Sequence, residues 1–202
     1  MNQRTLRAVV LALSLPALPA LAQEPAKVAA PAKAAEPVRA AAPSGPPRPA
    51  PQLEQLKLFL GNWKCAGKQL ATPMFGPEHP ITGTASAKLE SDGFWQQFVY
   101  EEKKTAQHPG IKLVGLWGYD QGGKRFIRAA GGSNGTWDSA TSVGFNADKM
   151  VWTGDLSGPA GRMPFRQTFT RKGDKEWSFR LELNQGGTWV PLSEVSCTAG
   201  KK

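Results

Sequence analysis

Histidine is scarce in this 202-residue chain: there are two, His79 and His108, each directly followed by proline. Cysteine is equally rare, with Cys65 and Cys197 far apart. No zinc-type ligand spacing exists, so the sequence predicts no metal site. Nucleophilic catalysis lacks its parts too. There is no G-x-S-x-G elbow, and a Ser–His–acid set would have to use a loop histidine beside a proline. Glu90, Asp92, Glu101 and Glu102 are the carboxylates to weigh for glycoside hydrolysis, but Glu101-Glu102-Lys103-Lys104 reads as a solvated strand end. The glycine strings at 131–135 and 185–187 lead into no helix, so they read as hairpin turns and not phosphate cradles. Positive charge is also thinner than the total of +9 suggests. Residues 52–202 hold 19 Lys and Arg against 14 Asp and Glu, a net of +5. That is short of a nucleic-acid footprint, and no nucleic-acid partner is expected.

A long apolar run is missing as well. The longest, Ala8 to Leu15, is well below the ~20 residues of a bilayer span, so no stable membrane span is expected. With Arg4 and Arg7 before it and Ala20-Leu21-Ala22 after it, this run reads as a cleavable signal peptide over residues 1–22. The protein is therefore expected to be exported, periplasmic or extracellular. Residues 23–51 hold 18 Ala and Pro among 29 positions and no aromatic residue. Such a segment cannot bury enough apolar area to fold, and it reads as a disordered, semi-rigid tether. Residues 52–202 form the one expected domain. In an oxidising compartment the isolated cysteine pair predicts a structural disulfide. The competing reading, a reactive thiol pair, lacks both C-x-x-C proximity and a flanking histidine.

The domain opens with Leu53, Leu56, Phe59 and Leu60 at helical spacing, predicting a short N-terminal helix ended by Gly61. Ten short β-rich runs follow: 63–69, 83–90, 94–103, 112–119, 125–130, 136–145, 149–156, 162–171, 177–184 and 189–197. Most are separated by Gly, Asn and Asp turns that suit tight hairpins. The fold class is all-β: an antiparallel up-and-down barrel of about ten strands. Closure removes the two edges that so long a meander would expose. It also makes neighbours of the first and last strands, which carry Cys65 and Cys197. Alternation predicts that Trp177, Phe179, Leu181 and Leu183 share one face and Met163, Phe165, Gln167 and Phe169 another. Ten strands enclose more space than eight, which side chains alone can just fill, so a cavity is expected.

The strings LKLFLGNWKCAG, LVGLWGYDQGGKRFI, SNGTWDSATSVGF and RQTFTRKGDKEWSFRLELNQGGTWV, in that order, resemble the DUF1579 family. That resemblance covers nearly all of 52–198 and implies a calycin-like barrel akin to lipocalins and nitrobindins, with a helix at its mouth. In the nitrobindin-like relatives a histidine near the C-terminal end of the barrel holds haem. This chain has no histidine after residue 108, so no such cofactor is expected.

All seven tryptophans fall inside the domain, nearly one per strand. Indoles bury a large area yet keep a polar N–H, which suits a pocket with a polar rim. The pocket-lining candidates are Trp63, Trp95, Trp117, Phe165, Gln167, Phe169, Trp177, Phe179 and Trp189. The bland alternative is that these rings simply fill the barrel. The leading expectation is a non-enzymatic binding protein for a small apolar or amphipathic ligand, lipid-like in class, with weak contact to envelope surfaces. One rival is an enzyme at the barrel mouth, which requires a buried, perturbed carboxylate or arginine in the lumen; Gln97 and Gln167 are the polar candidates for inward positions. The other rival is a solid-barrel interaction module.

Overall fold

The computed structural model describes residues 45–200, with 74, 75, 107 and 160 excepted. The expected signal peptide and tether residues 23–44 lie outside the described residues. Ala50 is already buried, and Pro51 opens a helix over Pro51–Phe59, where its fixed φ and missing N–H suit a first turn. The helix is 3-10 and not α. Leu53, Leu56 and Phe59 recur every three residues, which stacks them along one edge of a three-per-turn helix. Leu56 and Phe59 are buried, and Leu53 packs against the core they join.

Eleven strands follow: β1 (Gly61–Gln69), β2 (His79–Glu90), β3 (Trp95–Glu102), β4 (Lys112–Asp120), β5 (Arg125–Gly132), β6 (Trp137–Ser142), β7 (Phe145–Asn146), β8 (Lys149–Gly158), β9 (Gly161–Arg171), β10 (Glu176–Gln185) and β11 (Thr188–Ala199). Every pairing is antiparallel. The order β6-β5-β4-β3-β2-β1-β11-β10-β9-β8 closes through β6–β8 into a ten-stranded barrel, with two-residue β7 as an extra strand beside β8. The run expected over 136–145 is thus interrupted. Val143 is out in solvent and Gly144 has φ +97°, a left-handed conformation that ends β6 and lets β8 pair with it directly. Cys65 and Cys197 face each other across β1 and β11, Cα atoms 4.1 Å apart, and are joined by a disulfide.

Two glycines allow the sheet to bend shut. A Cβ on Gly154 of β8 would lie 2.0 Å from the Ser139 carbonyl oxygen, and one on Gly67 of β1 would lie 2.0 Å from that of Glu194. Glycine at a sharp barrel bend lets backbones approach as no other residue can. Gly154→Ala is expected to lower stability to urea by at least about 1–3 kcal/mol, the usual cost of overpacking. Gly131→Ala adds a Cβ that meets nothing within 4 Å and should change little. Equal effects from the two substitutions would refute this account of closure.

One end of the barrel is plugged. Phe59 sits among Phe98, Trp117, Phe145, Phe169 and Trp177 with centroids 5.2–6.4 Å away. Trp63 Nε1 donates to the Phe59 carbonyl (2.8 Å), and the Phe145 amide donates to Gln55 Oε1 (2.8 Å), which ties the helix to the rim.

Candidate functional site

The opposite end is open and leads into two connected chambers with cavity volumes of about 230 Å³ and 120 Å³. Gln69, Ile111, Leu113, Arg128, Gln167 and Leu181 line both. The outer chamber adds His79, His108, Asp138, Phe165 and Leu192; the inner adds Tyr100, Glu102, Trp117, Phe169 and Phe179.

At the junction lies a buried ion pair. Arg128 Nε donates to Asp138 Oδ1 at 3.0 Å, with about 5% of each side chain exposed. Arg128 Nη1 donates to Gln167 Oε1 at 2.7 Å. The guanidinium stands 5.3 Å from the Trp152 ring and 5.1 Å from the Phe165 ring, within cation–π range. Burial lowers the Arg128 pKa from its usual value against the pull of Asp138, and burial raises that of Asp138 against the pull of Arg128. Desolvation is the largest contribution for both partners, so the pair is an expensive feature of the lumen.

The walls also carry polar atoms without partners. Gln69 Nε2 and His79 Nε2 are buried and make no hydrogen bond. Burial, and then the nearby Glu102 carboxylate, push the Tyr100 phenol above its ordinary value, so it stays a neutral donor. The Glu102 side chain is 8% exposed and accepts from the Ile111 amide (3.2 Å), with His108 Nε2 at 2.7 Å.

The nine expected lining residues separate into three groups. Phe165, Gln167, Phe169, Phe179 and Trp117 reach the chambers. Trp63 and Trp177 pack on each other at the plugged end, centroids 5.6 Å apart, and line neither chamber. Trp95 and Trp189 are on the outside. Trp95 lies over Gly118, where an added Cβ would come within 2.6 Å of its ring, and Trp189 lies under the Arg166 guanidinium at 4.7 Å. The inward face of β3 is that of Gln96, Phe98 and Tyr100, so Gln97 also points outward. For Trp189 the cause is a register shift at Leu181/Glu182. It reverses the parity that Cys197 sets for the rest of β11.

Apart from Gln167, the polar groups of the chambers are not among the residues the sequence singles out as lining. Glu101 is exposed and pairs with Lys112, as expected of a solvated strand end, whereas Glu102 turns inward. Arg128 was legible in principle, because Phe126, Arg128 and Ala130 alternate on one face. Asp138 was harder to read, sharing its face with only Ala140 and Ser142.

These features define the class: a closed antiparallel barrel, plugged by a helix at one end, with a mainly apolar chamber that carries a few polar groups opening at the other. Residues 48–198 match the family described as "Protein of unknown function (DUF1579)", and the chain belongs to that family. No curated protein matches the chain. Among solved structures, Rv2717c from M. tuberculosis is similar in fold at 12% identity and TM-score 0.61, covering 76% of this chain and all of that one. A redesigned β-barrel aligns at 12% identity and TM-score 0.39, covering 72% of this chain and 94% of the other. Among the described residues no helix is long and apolar enough to cross a membrane.

Proposed function

We propose that this protein is an exported, calycin-like binding protein that holds a small amphipathic ligand in the open half of its barrel. The observation that carries the reading is the unpartnered donor inside the chamber, Gln69 Nε2, with the neutral Tyr100 phenol beside Glu102 on the same wall. A buried polar atom without a partner costs roughly 1–3 kcal/mol, which a ligand or ordered water offsets. A head group that accepts hydrogen bonds would meet these donors, and an apolar body would rest on Leu113, Leu181, Leu192 and Phe165. Chambers of 230 Å³ and 120 Å³ each fall below the roughly 300–1,000 Å³ of small-molecule sites. They favour a short-chain ligand over a long lipid. Export rests on the signal-like segment 1–22 and on the Cys65–Cys197 bond, which is consistent with an oxidising compartment.

Native mass spectrometry of protein purified from its export compartment is expected to show a bound small molecule that is released on unfolding. Leu181→Trp fills both chambers and should abolish that extra mass. A bare polypeptide in both samples would overturn the reading. A second reading, catalysis at the barrel mouth, draws on the buried Arg128–Asp138 pair, the kind of group such an enzyme requires. It predicts that the released molecule, added back, is consumed.

A further inference from the structure

The two histidines are 29 positions apart in sequence, yet they meet at the mouth of the outer chamber, ring centroids 4.7 Å apart and planes 46° apart. Their hydrogen bonds fix which nitrogen of each is free. His79 Nδ1 lies 3.1 Å from the Pro77 carbonyl oxygen. A carbonyl only accepts, so Nδ1 carries the proton and Nε2 keeps its lone pair. That Nε2 is buried and has no partner. His108 Nε2 lies 2.7 Å from Glu102 Oε2, so it donates to the carboxylate and leaves the lone pair on Nδ1. Glu102 is held in turn by the Ile111 amide. Each ring therefore donates one N–H to a backbone carbonyl or a carboxylate, the arrangement that orients metal-ligating histidines.

We propose that His79 Nε2 and His108 Nδ1 form a two-histidine site for a divalent transition metal of the zinc or copper class at the rim of the cavity. Imidazole suits these metals. With a metal–nitrogen bond of about 2.0–2.1 Å, each ring centroid stands roughly 3.2 Å from the metal. Two centroids 4.7 Å apart then subtend an angle of roughly 95°, compatible with tetrahedral or tetragonal coordination. Among the described residues no group of three or more His, Cys, Asp and Glu converges. The chain thus supplies two ligands, and water or an oxygen donor on the chamber's occupant would complete the coordination. Both cysteines are consumed by the disulfide, so no thiol competes.

Zinc titration of the full chain, followed by calorimetry, tests the proposal directly. These are the only two histidines in the sequence, so any imidazole-dependent binding belongs to them. One equivalent of zinc is expected, with affinity lowered at least tenfold in His79→Ala and in His108→Ala. Glu102→Gln should keep the stoichiometry and weaken binding about tenfold, the usual effect of losing an outer carboxylate. Should His108→Ala fail to fold, the half-exposed His79→Ala decides alone. Absence of saturable zinc binding, or binding that survives His79→Ala, would overturn the site. The titration needs no organic ligand, so its failure leaves the reading of the chamber standing, and the reverse holds too.

Discussion

Replacing Arg128 by methionine is expected to cost the protein about 3–5 kcal/mol in urea unfolding at neutral pH, because Asp138 would be left as a buried charge without its partner. Asp138→Leu should cost a similar amount by stranding the guanidinium. The double variant Arg128→Met/Asp138→Leu removes both charges from a site walled by Trp152 and Phe165, and should recover most of the loss. The pH dependence of the Arg128→Met protein has a definite sign. Burial raises the Asp138 pKa above its ordinary 3.8, and removal of Arg128 takes away the force opposing that rise. The folded state then binds a proton more tightly than the unfolded chain. Stability therefore falls with rising pH between 3.8 and the elevated folded value, and the defect shrinks on acidification through that window. Single variants that lose under 1 kcal/mol, or a double variant as unstable as either single, would show that the pair is not the costly buried element described here. If the double variant folds well but no longer retains a ligand, the pair is there to bind and not to stabilise.

Cys65→Ala/Cys197→Ala carries the second large effect. The bond joins residues 132 positions apart, and on the chain-entropy view closing such a loop stabilises by about 4–5 kcal/mol. For a domain of this size that corresponds to roughly 10–15 °C in Tm. The location adds to the effect. Cys197 is fully buried on the inner face, paired in register with Trp177 of β10. The bond also pins β1 to β11, the first and last strands of the barrel. Thermal unfolding of the oxidised wild type and of the double variant, followed by circular dichroism, measures the difference. A Tm change below about 2 °C would mean that the β1–β11 ladder holds without the bond.

Much of the barrel was legible because its signals are local. Turn residues such as Asp120-Gln121-Gly122-Gly123 and Lys172-Gly173-Asp174 punctuate the chain, and nine of the ten expected runs are single strands within a few residues of the expected bounds, the run over 136–145 being broken at Val143-Gly144. The alternation in β9 and β10 is strong because large apolar residues occupy every second position, and Phe165, Gln167, Phe169 and Phe179 all face the chambers. Where both neighbours of a position are large or polar, alternation carries no direction. The stretch Trp95-Gln96-Gln97-Phe98 is such a place, and Trp95 and Gln97 were assigned to the wrong face. Trp189 failed for another reason: a bulge is a single-residue event whose effect on parity runs the length of a strand.

By itself the sequence determined the class of fold, the pairing of its two cysteines and the strand that each tryptophan occupies, since hairpin turns and period-two patterning act between near neighbours. The tertiary structure alone decided what the lumen contains. Arg128 and Asp138 come from adjacent strands, Gln167 from β9, and Glu102, His79 and His108 from the end of β3, the start of β2 and the β3–β4 loop. Burial, unlike periodicity, depends on what every other strand places opposite a residue, and no local pattern encodes that.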